Sequence, residues 1–353
     1  HGPGHVVWSA AWSPDGRYLA SARQDKTISI WDVTTGQHVR ALRGHAGPVA
    51  AVAWSPDGRQ ILSGGHDKTL RLWEAASGRQ RVVLAASDGV TAVAWSSDGR
   101  YIALAESKNV HVREAETRKL AQSLSHEETV NCVTFSPGGK ILAAADRSGD
   151  VRLWEAASGK RVLAEMQLRH AEGQREDRSA YSLVFSPDGK LLASGAADGV
   201  VRVWEVASGA VVAELKGHTD VVRAVSWSRG GKTITSGSGC SDCSLRFWDV
   251  ETSRAHHVIE GHRADSHMRS VAWSPEGHVL VLAGRRGPHP HANEAVTWLW
   301  DVNLKQRLRG IEERLTDEIA WSANGKFLAA NDGGAIVLLD GRSFKALKRL
   351  SEY

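Results

Sequence analysis

Apolar and polar positions alternate along this chain in short bursts. Around Val49 the run VAAVAWS alternates, a Pro-Asp-Gly turn follows, and QILSGG alternates again. The polar turn HDKT then leads to LRLWE, and a further turn, AASGRQ, to RVVLAA. A side-chain period of two over five or six residues marks a strand with unlike faces. The Gly, Pro, Asp and Ser between the bursts are turn formers. The pattern predicts four short strands in one small antiparallel sheet. Helix-period stretches are too short to matter, so the chain is expected to be all-β.

The unit recurs. An aromatic-Ser-x-x-Gly cassette begins at Trp12, Trp54, Trp95, Phe135, Phe185, Trp227, Trp273 and Trp321, at spacings of 42, 41, 40, 50, 42, 46 and 48 residues. These eight units cover nearly all of the 353 residues. One such sheet cannot bury its faces alone, whereas neighbours stacked face to face bury a continuous core.

Residues 44–74, GHAGPVAAVAWSPDGRQILSGGHDKTLRLWE, resemble the WD-repeat β-propeller family almost position for position, and the resemblance covers residues 5–350. It implies a single closed propeller of four-stranded antiparallel blades around a central channel. Eight cassettes imply eight blades, with seven, the commoner number in the family, as the alternative. Blades are expected near 5–42, 43–84, 85–124, 125–166, 167–215, 216–260, 261–310 and 311–350, with 1–4 a remnant or linker. Blade 1 then starts with its innermost strand, and blade 8 ends with its outermost, KALKRL. Such a ring closes through side-chain packing rather than through a shared strand.

Blade 2 places His45, Ser63, Asp67 and Trp73 at the family's spacing, which invites comparison with a catalytic triad. The resemblance implies a structural role instead: a hydrogen-bond chain from indole through hydroxyl and imidazole to carboxylate. Blade 1 repeats it with His5, Ser21, Asp25 and Trp31, and blade 6 with His218, Ser236, Asp242 and Trp248. A nucleophile needs an exposed hydroxyl and an oxyanion site, and copies spread round a ring fit staples better. Blade 4 keeps His126 and Trp154 but has Ala144 and Ser148 at the Ser and Asp positions. Blade 3 has Arg113 for the Trp, blade 8 has Leu339, and blade 7 has Leu282 between His262 and Trp300. Blades 3, 4 and 8 are therefore expected to be the least rigid.

The resemblance also separates two rims. Both large insertions, 167–180 and AGRRGPHPHANEA (283–295), fall on the rim that the family uses for partners, which carries the fourth-to-first and second-to-third strand connections. The residue four before each cassette aromatic is placed by the resemblance at the inner lip of that face. Round the ring these are Trp8, Ala50, Thr91, Asn131, Tyr181, Arg223, Arg269 and Asp317. Trp, Tyr and Arg dominate interface hot spots, and Trp8, Tyr181, Arg223 and Arg269 share one arc through blades 5, 6, 7 and 1. With Asp317, Arg285, Arg286, His289 and His291 they form the candidate partner surface. Its arginines favour an acidic or phosphorylated protein or peptide.

Composition narrows the alternatives. A net charge of +4 with both signs interspersed does not make a nucleic-acid binder. Arg17, Arg59, Arg100, Lys140, Lys190, Lys232 and Lys326 form a basic ring on the opposite rim, which reads first as a solvated face and only second as a nucleic-acid-binding surface. No apolar run approaches the ~20 residues of a membrane span. Cys240 and Cys243 form a C-x-x-C with the spacing of a zinc site, but His289 and His291 are a weak second pair, because they come from a long loop and H-P-H restricts how the rings converge. Free thiols are the leading expectation there, with a local Cys240–Cys243 disulfide as an alternative, and no cofactor and no metal. Cys132 is expected to be a small core residue. So few cysteines favour a reducing, cytoplasmic setting. The missing Met and the opening HGPGH suggest a processed chain or a domain cut from a longer one. No phosphate loop or cleft acid pair appears, so the expectation is a non-enzymatic recognition scaffold. A sensory or regulatory domain of a larger signalling protein is the main competing reading.

Overall fold

The computed structural model describes residues 7–162, 166–167, 179–239, 242, 244–259, 266–277, 279–286, 294–301, 306–307, 319–331 and 335–350. These form eight four-stranded antiparallel sheets and, among the described residues, no helix. The sheets span 7–43, 49–85, 90–125, 130–167, 180–215, 222–259, 266–307 and 319–350, each made of four strands paired in chain order. Eight blades are present, not seven. First strands of successive blades touch one another all round, blade 8 to blade 1 included, so they line the inside of the ring. The exposed large apolar residues Val39, Val83, Leu120, Val211, Val212 and Leu347 all lie on fourth strands, which face outward.

Turn chemistry explains the cassette. In blade 2 the Ser55 hydroxyl donates to Asp57 (2.5 Å), and Asp57 accepts the Arg59 N–H (3.0 Å). Blades 1, 3 and 5 repeat this with Ser13 and Asp15, Ser96 and Asp98, and Ser186 and Asp188; blade 8 uses Ser322 and Asn324. The cassette glycine has φ between +67° and +81° in all eight blades, a conformation that costs an L side chain about 1–2 kcal/mol. The acid ending the third strand caps the next turn in blades 1, 2, 4 and 8: Asp32 accepts from Thr34, Glu74 from Ser77, Glu155 from Ser158 and Asp340 from Ser343.

Blades pack face to face. Ile28, Ile30 and Leu42 of blade 1 meet Val49, Val52, Trp54, Ile61 and Trp73 of blade 2, and each fully buried side chain of this kind contributes about 1.5–3 kcal/mol. The closing seam is built in the same way. Val7, Leu19, Trp31 and Val33 of blade 1 pack on Ala329, Ile336, Leu338 and Leu350 of blade 8. Three cassette indoles add a staple, whereas those of Trp95, Trp273 and Trp321 are buried without a partner: Trp54 donates to the Ala11 carbonyl (3.0 Å) and Trp227 to that of Val184 (3.1 Å). Trp12 donates to Ala320 across the seam in the same relationship (3.0 Å).

A second contact links outer strands. The long side chain of Gln122 lies over Gly159 in the next blade and donates to the Ala157 carbonyl (3.5 Å). Lys348 lies over Gly36 and donates to the Thr35 carbonyl (3.3 Å). A Cβ on Gly36 would sit 2.1 Å from the Lys348 side chain. Between blades 2 and 3 the roles are reversed. The short Val82 occupies the strand position, and Arg118 stands on the turn at φ +66°, donating to Gln60 (3.1 Å).

Candidate functional site: the channel lip

The lip positions share a backbone cause. In blades 1 to 7 the first strand skips one residue in its pairing with the second: Trp8, Ala50, Thr91, Asn131, Tyr181, Arg223 and Arg269. A bulge leaves its extra residue unpaired and re-aims the side chain. Asp317 lies outside the described residues, as do the side chains of Arg269, Arg285 and Arg286.

From blade 3 to blade 6 the lip is stitched blade to blade. The Thr91 hydroxyl donates to the Val130 carbonyl (3.4 Å), and the Asn131 amide to the Ala180 carbonyl (3.1 Å). At the next step the link becomes a ring contact, with the Arg223 guanidinium 5.1 Å from the centroid of Tyr181. Tyr181 is half-buried and Arg223 exposed. Half-buried Trp8 meets the exposed His66 of blade 2 edge-on, with centroids 4.8 Å apart. His66 follows the second strand of its blade, so Trp8 shares a face with the second-to-third connections. Sequence reasoning missed His66, whose only signal is its place in the turn after that strand.

Blade 7 corrects the reading of residues 283–295. Its first three strands, Ser266–Trp273, Val279–Arg286 and Glu294–Asp301, are each eight residues long, where six is usual elsewhere. Arg285 pairs with His267 and Ala295, and Arg286 with Ser266 and Glu294. Both arginines therefore belong to an extended ladder, not to a loop. Ladder bonds are made by backbone groups, so charged side chains do not end a strand. His289 and His291 lie outside the described residues.

The hydrogen-bond chain is complete in two blades. Trp73 donates to Ser63 (2.9 Å), Ser63 to Nε2 of His45 (2.8 Å), and Nδ1–H of His45 to Asp67 (2.9 Å). In blade 6 Trp248 donates to Ser236 (2.7 Å), Ser236 to Nε2 of His218 (2.7 Å), and His218 to Asp242. Burial lowers both imidazole pKa values despite the adjacent carboxylates, so the rings are neutral at pH 7. Burial acts to raise Asp67, but hydrogen bonds from His45, the Ala46 N–H and Thr69 outweigh it and hold the carboxyl low. Ser63 and Ser236 are fully buried, which suits a staple and not a nucleophile. In blade 1 Trp31 reaches Ser21 (3.4 Å), while Asp25 binds Thr27 and pairs with buried Arg23 (3.3 Å); His5 lies outside the described residues.

Blades 3 and 4 have not lost the carboxylate. In blade 4 Nδ1 of His126 lies 3.0 Å from Asp146, the last residue of the second strand, and both side chains are fully buried. Ser148, the residue at the family's Asp position, instead donates to Asp146 (2.6 Å). Because Ala144 has no hydroxyl, Nε2 of His126 is buried without a partner. Blade 3 places Glu106 at the same strand end, where it accepts from Ser87 (2.8 Å, N–H) and meets Nε2 of His111 (2.6 Å). The signal for both was the acid closing the apolar runs ILAAAD and YIALAE.

On the opposite rim Arg17 is paired with Asp32 (3.0 Å). The Arg17, Arg59, Arg100, Lys140, Lys190, Lys232 and Lys326 carbonyls each accept the N–H that follows a third strand, so the position is fixed by backbone structure. Cys240 and Cys243 lie outside the described residues. Among the described residues no group of three or more His, Cys, Asp or Glu could hold a metal. Cys132 is a half-buried free thiol against the core between blades 4 and 5, and burial pushes its pKa up to about 12.

Residues 6–172 match the family described as the IFT122 first β-propeller, and residues 167–205 and 209–249 match the WD domain, G-beta repeat. The chain belongs to the WD-repeat β-propeller family. Proteins of this family are generally non-catalytic scaffolds that bind protein partners. Relatives include ribosome biogenesis protein bop1-A of Xenopus laevis, 45% identical over 71 residues, which are 19% of this chain and 9% of that protein. Nuclear distribution protein PAC1-2 of Uncinocarpus reesii is 32% identical over 179 residues (44% and 39%). The transcriptional corepressor LEUNIG_HOMOLOG of Arabidopsis thaliana is 25% identical over 159 residues (44% and 20%). The chain thus spans well under half of each of these WD-repeat relatives. The crystal structure of the computationally designed Ika8 protein shares the fold, with a TM-score of 0.76 and 23% identity over 95% of this chain and 96% of that one.

Proposed function

We propose that this chain is a non-catalytic protein-interaction scaffold whose partner docks on the lip face, against Trp8, Tyr181, Arg223 and Arg269. The observation that carries the reading is the Tyr181–Arg223 pair, a bulged aromatic and an exposed guanidinium stacked across two blades. Such a pair is pre-ordered before binding, so docking on it costs little side-chain entropy. The guanidinium keeps its N–H donors for a carboxylate or phosphate, so an acidic or phosphorylated segment of a protein or peptide is the favoured ligand. Arg285 and Arg286, at the end of the lengthened blade 7 ladder, would extend the basic side of the surface. His289, His291 and Asp317 are kept as candidate contacts on the same face.

Nucleic acid is not part of this reading, because the basic rim doubles as turn architecture and Arg17 is neutralised by Asp32. The few cysteines support a cytoplasmic setting. A regulatory domain within a larger signalling protein is a second reading, favoured by the small share of each relative that this chain matches, and it would use the same face.

The test is affinity capture from native lysate with wild type and with the W8A/Y181A/R269A variant, both verified as folded by their melting curves. The partner should be captured by wild type and lost from the variant. Equal capture by both would reject the lip as the docking surface.

A further inference from the structure

The cassette-turn rim carries a cleft of about 430 Å³ between blades 1 and 2. Tyr18 and Trp54 form its aromatic part, their rings stacked with centroids 6.4 Å apart, and Ile30 and Val39 add apolar wall. Its volume falls in the range of small-molecule sites, which are mostly apolar with a few placed polar groups.

Arg40 is the polar group that sets this cleft apart. It occupies the fourth-strand position held by Gln122 in blade 3 and Lys348 in blade 8, as the pairings of Arg40 with Ile30, Gln122 with Val112 and Lys348 with Leu338 establish. Each of the three lies over a glycine of the next blade's turn, Gly78 in the case of Arg40. Gln122 and Lys348 spend their polar ends on a carbonyl of that turn. Arg40 does not. Its Nε is buried without a hydrogen-bond partner, and it forms no ion pair among the described residues. A buried guanidinium N–H without an acceptor is costly to leave unmade, and the shape of a guanidinium matches a carboxylate bidentately.

Two carboxylates also line the cleft, and they do not fill this need. Asp15 accepts from Ser13 and the Arg17 N–H, and Asp57 from Ser55 and the Arg59 N–H. These bonds recur in other blades as part of the turn itself. The guanidinium that lines the cleft thus has no carboxylate partner among the described residues, and it lies beside aromatic surface.

We propose that this cleft binds a small aromatic carboxylate, its carboxylate on Arg40 and its ring against Tyr18 and Trp54. The site is independent of the lip, on the other rim of the ring.

Titration calorimetry on the intact chain with 3-indolepropionate, and with its neutral amide, tests this. The carboxylate should bind at one site, at least tenfold more tightly than the amide. R40M keeps the aliphatic packing on Gly78 and should weaken the carboxylate at least tenfold with an unchanged melting temperature. K140Q, at an exposed basic position on the same rim in blade 4, should leave binding unchanged. No binding at millimolar carboxylate, equal binding of the amide, or full binding by folded R40M would each overturn the proposal. If R40M melts lower, R40K serves instead, and the same tenfold loss is required of it, because an ammonium cannot reproduce the bidentate fork.

Discussion

His126 and Asp146 meet at 3.0 Å in the buried interior of blade 4, although Asp146 stands two positions before Ser148, the turn residue at which the family's spacing places this contact. The same ring–carboxylate contact is thus reached from two backbone sites, the end of the second strand in blade 4 and the following turn in blades 2 and 6. The consequence for stability is direct. D146A removes one member of a buried pair and should cost about 3 kcal/mol. S148A removes one hydrogen bond to Asp146 and should cost about 1 kcal/mol. Urea unfolding followed by tryptophan fluorescence compares them, and equal losses would contradict the assignment.

Blade 4 can also be repaired. Ala144 faces Arg152 in the ladder as Ser63 faces Arg71 and Ser236 faces Arg246. A serine there would donate to the unpartnered Nε2 of His126. A144S should raise stability by about 1 kcal/mol, visible as a higher melting temperature. A fall would mean that the site has no room for the hydroxyl.

Arg118 holds φ +66° at a turn position where Gly36, Gly78, Gly159 and Gly209 have φ between +63° and +74°. Its Nε and Nη1 are buried without partners, and burial lowers its pKa. R118G gives up the bond to Gln60, worth about 1 kcal/mol, but relieves the left-handed strain, about 1–2 kcal/mol, and the two unpartnered donors. The melting temperature should rise. A clear drop would show that the Gln60 bond outweighs the strain.

Acidification should weaken the ring in two stages. Burial holds the folded His45 and His218 below the ordinary imidazole value of 6.5. Between 6.5 and that lower value the unfolded chain binds more protons, so this stability is complete above pH 6.5 and is lost as pH falls through it. Asp67 and Asp242 are held below the ordinary 3.8 because their hydrogen bonds outweigh burial. Their contribution is present above 3.8 and lost as pH falls further. Melting temperature should drop between pH 7.5 and 5, and less so in H45N/H218N. A melting temperature that rises on acidification would contradict this.

Fold and blade number were legible because each cassette encodes a turn with one answer: a left-handed glycine four residues after the aromatic, set beside a Ser–Asp pair in blades 1, 2, 3 and 5. Trp54 and Trp227 donate to the preceding blade, but the Trp95 indole at the same cassette position is buried without a partner, so this staple is not encoded by the repeat alone. The blade 4 carboxylate was not legible by alignment, because the contact depends on where Asp146 lies in space and not on its column. Arg285 and Arg286 read as loop residues because charge and nearby Pro and Gly suggest a turn, while backbone pairing is indifferent to side-chain charge. The lip residues were identified by position, but the bulge that re-aims them has no side-chain signature. The stacking of Tyr181 on Arg223 needed the distance between two blades, which no single repeat contains.

The central claim is that a protein partner occupies the lip face. Site-specific photo-crosslinking tests it directly, with the crosslinking side chain placed at exposed Arg223 on the lip or at exposed Arg59 on the opposite rim. The account predicts a discrete partner adduct from position 223 and none from position 59. An adduct from position 59 alone, or equal adducts from both, would contradict it.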